Sequence, residues 1–211
     1  MLMHLPGKHA VLLPSGDHAI LEVYQGLAKL GYTTVLMPDQ GGWLTYPDYA
    51  KKAKLTAVDV KTSSGIMTPS DIPALAHSFL IVNSLAGYHA PQPMALIAQE
   101  CARKKILLIN DASGSIGTPI STIGDIFLGS FGKDKPINVG YGGFVSFHDE
   151  PLFTVEQSFD ESYLPLLEKK LRDLPARQAT IRDIAKNVKK DLSAYDVIHR
   201  DADGINVIVR V

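Results

Sequence analysis

Apolar residues come along this chain in two patterns. Short unbroken runs of four to six alternate with stretches in which apolar positions recur three and four apart. The first pattern reads as buried strand and the second as a helix with one apolar face. HAVLL at 9–13 is the first strand, PSGD turns the chain, and a helix follows over roughly 18–30, ending near Gly31. TTVLMP at 33–38 is a second strand, 47–54 a short helix, and TAVDV at 56–60 a third strand. SDIPAL has the signature of a helix start with Ser70 as N-cap. FLIVNS at 79–84 reads as strand, and 92–104 as a helix with Met94, Ile97, Ala98 and Cys101 on one face. KILLIND at 105–111, DIFLGSF at 125–131 and GGFVSF at 142–147 complete seven strands. The first five alternate with helices, so the pattern predicts an α/β fold with a mostly parallel seven-stranded sheet flanked by helices.

After about residue 150 the pattern changes. A charged helical stretch covers roughly 161–191, and YDVIHR and INVIVRV flank the turn DADG. The division expected is an α/β domain over 1–150 and, over 151–211, a helical extension with a small terminal β element. No repeat or low-complexity tract interrupts the chain.

Composition narrows the function classes. The 211 residues are 45% hydrophobic and 20% charged, with a formal net charge of -1 from 21 basic and 22 acidic residues. That balance gives no electrostatic reason to expect nucleic acid or an anionic membrane as partner. A single cysteine, Cys101, excludes an intramolecular disulfide framework and a multi-cysteine metal site. It lies in the helical pattern IAQECARKK, where a packed thiol is expected. No metal ligand set is expected. The opening MLMHLPGKHAVLLPSG carries only a short apolar run broken by Pro6 and Gly7, so neither a signal peptide nor a membrane span is expected, and a cytoplasmic protein is.

The residues with chemical potential cluster at strand ends. In open parallel sheets, ligands bind at the carboxyl ends of the strands. Ser15 and Gly16 follow the first strand and open a helix, whose free N–H groups and dipole favour an anion. Asp111 ends KILLIND, Ser130 ends DIFLGS, and Lys133 and Lys135 follow in the next loop. Separately each has an ordinary explanation as cap, turn residue or solvated charge. Together they meet the demands of one cofactor. Pyridoxal 5'-phosphate (PLP) needs an anion site for its phosphate, an amine for its aldehyde and a carboxylate for its ring nitrogen.

At these residues the chain resembles the DegT/StrS family of fold type I PLP-dependent aminotransferases. GDIFLGSFGKDKPINVGYGGFVSF is similar to that family's lysine region: Gly124, Asp125 and Ile126, then Ser130 and Phe131, then Lys135, then Gly140, Gly142 and Gly143. ILLINDASGSIG resembles its strand ending in Asp-Ala, and PSGDHAILEVYQGLAKLGYTTVLMP its first phosphate-binding turn, helix and strand. The resemblance, over about 10–148, implies the large PLP-domain fold. It implies Lys135 as the Schiff-base lysine and Asp111 as partner of the pyridine nitrogen. Ser15, Gly16 and Ser130 would hold phosphate, and Trp43 would stack on the ring. It further implies a homodimer that moves an amino group from a small-molecule donor to a keto sugar or keto acid.

Several positions depart from the family pattern. Asp17 stands where a Thr or similar phosphate donor is usual, Gly114 where a His or Gln is usual, and Tyr141 where an acidic residue is usual. The usual C-terminal domain is largely absent. Lys133 rivals Lys135, because Ser-Phe-Gly-Lys also resembles the Ser-x-x-Lys of other fold type I branches. Two further readings stay open. One is a non-catalytic relative acting as a partner or regulatory subunit; the other is a nucleotide or sugar-nucleotide binder that holds a phosphate at PSGD.

Overall fold

Strand pairing sets the frame of the molecule. A computed structural model describes residues 4–211; the Met-Leu-Met that opens the first apolar run lies outside the described residues. Seven strands form one sheet: β1 (Lys8–Leu13), β2 (Thr34–Pro38), β3 (Thr56–Val60), β4 (Ser78–Asn83), β5 (Leu107–Asp111), β6 (Ile126–Ser130) and β7 (Gly143–Phe147). Their spatial order is β1-β7-β6-β5-β4-β2-β3. Strands β3, β2, β4, β5 and β6 pair in parallel, whereas β7 runs antiparallel to both its neighbours, β6 and β1. The carboxyl ends of β1, β5 and β6 therefore lie along one edge of the sheet. All seven strands and their mostly parallel arrangement match the sequence pattern.

Successive strand residues face opposite layers, and the core divides along that parity. Leu13, Val35, Met37, Phe79, Ile81, Ile109, Ile126, Leu128 and Val145 face helices α1 (Gly16–Lys29) and α2 (Tyr46–Lys52). Leu36, Leu80, Val82 and Leu108 face the opposite layer, where α3 (Met94–Lys104) contributes Met94, Ile97 and Cys101. Leu12, Phe127 and Phe144 share that second face and are covered by Leu167, Leu171 and Leu174 from α4 (Leu164–Arg172) and α5 (Leu174–Asp191). The same alternation assigns the functional positions. Asp111 has the parity of Ile109, and Ser130 that of Leu128, so both belong to the α1/α2 face. Cys101 is buried, and burial pushes its thiol up to about 12, as a packed rather than reactive thiol requires.

The structure departs from the pattern in four places. SDIPAL forms only a single 3-10 turn, Pro69–Asp71, and Ser70 does not cap a helix. Ile72 precedes Pro73, whose ring disfavours helical backbone at the residue before it, and Ile72 is extended (φ -63°, ψ 117°). The helical stretch 161–191 divides into two helices, because Pro175 has no N–H to donate to the carbonyl of Leu171. The terminal β element is smaller than YDVIHR and INVIVRV suggest: Asp196–Val197 pairs only with Val209–Arg210. Two short hairpins were not legible, Thr62–Ser63 with Ile66–Met67 and Leu85–Ala86 with Ala90–Pro91. Among the described residues no helix is long and apolar enough to cross a membrane.

The seam between α4 and the sheet can be tested directly. Leu171 is 1% exposed and Leu166, five residues earlier, is 39% exposed. Leu171→Ala should cost roughly 2–5 kcal/mol in chemical denaturation, whereas Leu166→Ala should stay within about 0.5 kcal/mol.

Candidate active site

Six residues singled out in the sequence converge on one cavity at the carboxyl edge of the sheet: Ser15, Gly16, Trp43, Asp111, Ser130 and Lys135. The wall also takes in Asp17, Tyr88 and Ser113, with Ile20 and Leu128 from the core beneath.

Asp111 forms the floor. It ends β5 in register with Asn83 of β4 and Leu128 of β6, and is 3% exposed. A buried carboxylate needs hydrogen-bond donors, and Asp111 has two. Tyr46 Oη donates to Oδ2 at 2.6 Å, and the Ser113 N–H donates to Oδ1 at 3.0 Å. Burial, and then the Asp111 charge, push the Tyr46 phenol well above its usual range, so it stays a donor.

One end of the cavity is built at the start of α1. Ser15 caps the helix, its Oγ accepting from the His18 N–H at 3.1 Å. The first N–H groups of a helix have no partner within it. Gly16 packs so closely on β6 that a Cβ would lie 2.6 Å from Ser130 Cβ, so only glycine fits. The Ser130 Oγ accepts from the Gly132 N–H at 3.1 Å, and the Ser130 N–H donates to Ser113 Oγ at 2.9 Å. The Asp17 carboxylate turns aside from this cup: its Oδ1 accepts from Trp43 Nε1 at 2.8 Å and from Thr45 Oγ1 at 3.0 Å.

Lys135 closes the cavity from the loop after β6, while Lys133 is exposed. The Lys135 amine donates to Tyr88 Oη at 2.7 Å and lies 4.2 Å from the centre of the Trp43 ring and 4.6 Å from that of Tyr88. Aromatic faces at such distances favour a cation. Burial lowers its pKa from the usual 10.5, against the opposing pull of Asp111, Asp134 and Asp17. Of the two histidines near these loops, His18 is exposed; His89 is buried, its Nε2 against the Ser64 carbonyl at 3.0 Å and its ring stacked on His199 at 5.4 Å.

Tyr46 and Tyr88 did not stand out in the sequence. Tyr46 sits at the start of α2, one residue ahead of the expected helix, and shares its buried side with Ala50. Tyr88 reaches the cavity through a left-handed backbone (φ 62°), a conformation that non-glycine residues rarely adopt. Its backbone carbonyl accepts from the N–H groups of Ile205 and Asn206 at 2.7 and 2.9 Å, so the C-terminal segment backs the cavity wall. A Cβ on Gly114 would lie 2.3 Å from Tyr88 Cδ1. The missing side chain at 114 is the space that the Tyr88 ring fills. Tyr141 is likewise accounted for by packing. Its ring stacks on Tyr163 at 4.5 Å and its Oη accepts from the Asp160 N–H at 3.2 Å, which fastens residues 159–163 beside the cavity loop.

That packing generates a test. Gly114→Ala should cost roughly 1–3 kcal/mol by overpacking. The loss should largely vanish in a Tyr88→Ala background, because the clash is pairwise. Denaturation midpoints of the two single variants and the double variant measure this coupling; additive losses would mean that Tyr88 does not occupy the space at Gly114.

The fold of this site is shared widely among solved structures. DesI, solved in the presence of its TDP-sugar product, superposes with a TM-score of 0.78 at 20% identity, over 100% of this chain and 62% of DesI. DesV of S. venezuelae, in complex with a ketimine intermediate, gives 0.77 at 18% identity, over 96% of this chain and 63% of DesV. Helicobacter pylori PseC, an aminotransferase involved in the biosynthesis of pseudoaminic acid, gives 0.77 at 14%, over 97% and 66%. The chain thus spans less than two thirds of each of these proteins, and identities this low speak to fold alone. A search of curated proteins finds no match. The sequence profile of the DegT/DnrJ/EryC1/StrS aminotransferase family matches residues 3–162, and the chain belongs to that family.

Proposed function

We propose that this chain binds PLP covalently through Lys135 and takes part in transfer of an amino group to a keto sugar or small keto acid. One observation carries the reading. A half-buried amine of lowered pKa and a fully buried, doubly hydrogen-bonded carboxylate line the same cavity, beside a capped helix N-terminus. The donor set fits PLP. The start of α1, with Ser15, Gly16 and Ser130, suits its phosphate, Asp111 its ring nitrogen, and Lys135 its aldehyde.

When bound, PLP supplies an electron sink for the electrons left behind as the substrate loses its α-proton. Asp111 keeps the ring nitrogen protonated, and Tyr46 and Ser113 hold its two oxygens in place. Lys135 would move the proton between the substrate α-carbon and the C4′ carbon of the cofactor. Its lowered pKa serves that exchange, because the amine must be neutral to act as base or nucleophile. Trp43 covers the amine and with Tyr88 limits its motion. The family resemblance implies a homodimer as the working assembly.

A second reading, a relative that keeps the fold without transferring, has one observation in its favour: the Asp17 carboxylate beside the phosphate end. Cofactor capture with no amino transfer by the purified protein would decide for it.

Borohydride trapping of added PLP, followed by peptide mapping, tests the assignment. Label is expected on Lys135 and absent in Lys135→Ala; label that survives there and disappears in Lys133→Ala would move the site to Lys133. Trapping should speed up as pH rises, since the neutral amine is the nucleophile, with a midpoint below the ordinary 10.5 because burial disfavours the charged form. Asp111→Asn should retain the cofactor and lose amino transfer by a factor on the order of 10² or more; undiminished turnover would remove Asp111 from its role.

A further inference from the structure

Asp17 occupies the first turn of α1, between the phosphate end of the cavity and the loop that carries Trp43. A carboxylate is favoured there by the helix dipole. Its Oδ1 nevertheless accepts from two side chains of another element. Trp43 Nε1 donates at 2.8 Å and Thr45 Oγ1 at 3.0 Å, so one oxygen ties the loop before α2 to the start of α1. The indole N–H is that ring's only hydrogen-bond donor, and a bond to a charged acceptor is among the stronger kinds. Trp43 is 37% exposed, so packing alone holds it weakly. Its face nevertheless lies 4.2 Å from the Lys135 amine.

We infer that Asp17 is a positioning residue: its carboxylate anchors the indole of Trp43 across the amine of Lys135. The anchor stands on the geometry alone; its consequence for reactivity rests on the reading of Lys135 as the reacting amine. The same carboxylate places a fixed negative charge beside the phosphate end. The chain thus joins the two ends of its cavity through a group that opposes a phosphate dianion while holding the aromatic wall.

Asparagine and alanine separate the two roles. Asn at 17 still offers an oxygen to the indole N–H but carries no charge, and Ala offers neither. Trp43 is the only tryptophan in the chain, so its fluorescence reports the anchor without any cofactor. The covalent probe is pyridoxal, which lacks the phosphate and so does not feel the charge of Asp17 there. The amine nitrogen adds to the aldehyde carbon, a C=N bond forms and water leaves. Borohydride then delivers hydride to that carbon, and solvent a proton to the nitrogen.

The experiment compares the full-length protein with Asp17→Asn and Asp17→Ala by Trp43 emission, acrylamide quenching and the rate of pyridoxal trapping at Lys135. Asp17→Ala should shift emission to the red, raise quenching and slow trapping on the order of tenfold. Asp17→Asn should restore all three to within about twofold. Moreover, Asp17→Asn should tighten PLP on the order of tenfold while leaving pyridoxal almost unchanged. Unchanged emission and quenching in Asp17→Ala, or an Asn variant that behaves like Ala, overturns the inference. Should Asp17→Ala not fold, Trp43→Phe keeps a ring but removes its N–H; it should slow trapping to a similar extent, and trapping at the parental rate overturns the inference. If the parent traps no pyridoxal at Lys135, the reading of Lys135 falls, while the emission of Trp43 still decides whether Asp17 holds it.

Discussion

A carboxylate removed from water at the end of a central strand must be met by donors, and much of the site is arranged around that demand at Asp111. The costs of leaving such a group unpaired are several kcal/mol, so its surroundings are constrained. Tyr46 from α2 and the Ser113 N–H from the loop after β5 supply the donors. Tyr46 is itself buried in the core with Tyr24 and Ala50, which fixes α2 against the sheet. The position of α2 in turn fixes the loop ahead of it, with Trp43 and Thr45. The floor of the cavity and its aromatic wall are consequently parts of one packed unit.

The departures from the family pattern are coupled to their neighbours rather than scattered. Gly114 leaves the space that Tyr88 takes up, and Tyr88 supplies a hydroxyl to the Lys135 amine. Tyr141 gives up an acidic side chain and gains stacking on Tyr163 and Phe159. Asp17 stands where the family pattern implies a hydroxyl donor, and makes two bonds to the loop before α2. In each case a change at one position is matched by a contact at another, as close packing requires. The C-terminal segment joins this unit through the hydrogen bonds of Ile205 and Asn206 to Tyr88.

Much of this was legible in the sequence, for identifiable reasons. Unbroken apolar runs mark strands buried on both faces, and these runs located all seven strands. Ser15, Gly16 and Lys135 lie next to strand ends, where sequence position translates into spatial position. The convergence of these residues on one cavity follows from the strand order, which the runs alone do not reveal. Tyr88 was invisible because its reach depends on a left-handed backbone and on a hole at Gly114, two facts separated by 26 positions along the chain. The expected helix at Ser70 failed because Pro73 acts on Ile72, an effect stronger than the capping signal ahead of it. The break at Pro175 was readable in principle, since a proline inside a helical pattern removes one hydrogen bond of the ladder.

The central claim is that Lys135, Asp111 and the start of α1 form one cofactor site. A crystal structure of the protein grown with PLP tests it most directly. Continuous density is expected from Lys135 Nζ to the cofactor, with the ring nitrogen against Asp111 and the phosphate against Ser15, Gly16 and Ser130. Density joined to another lysine, or a ring nitrogen turned away from Asp111 in a fully occupied site, would contradict it.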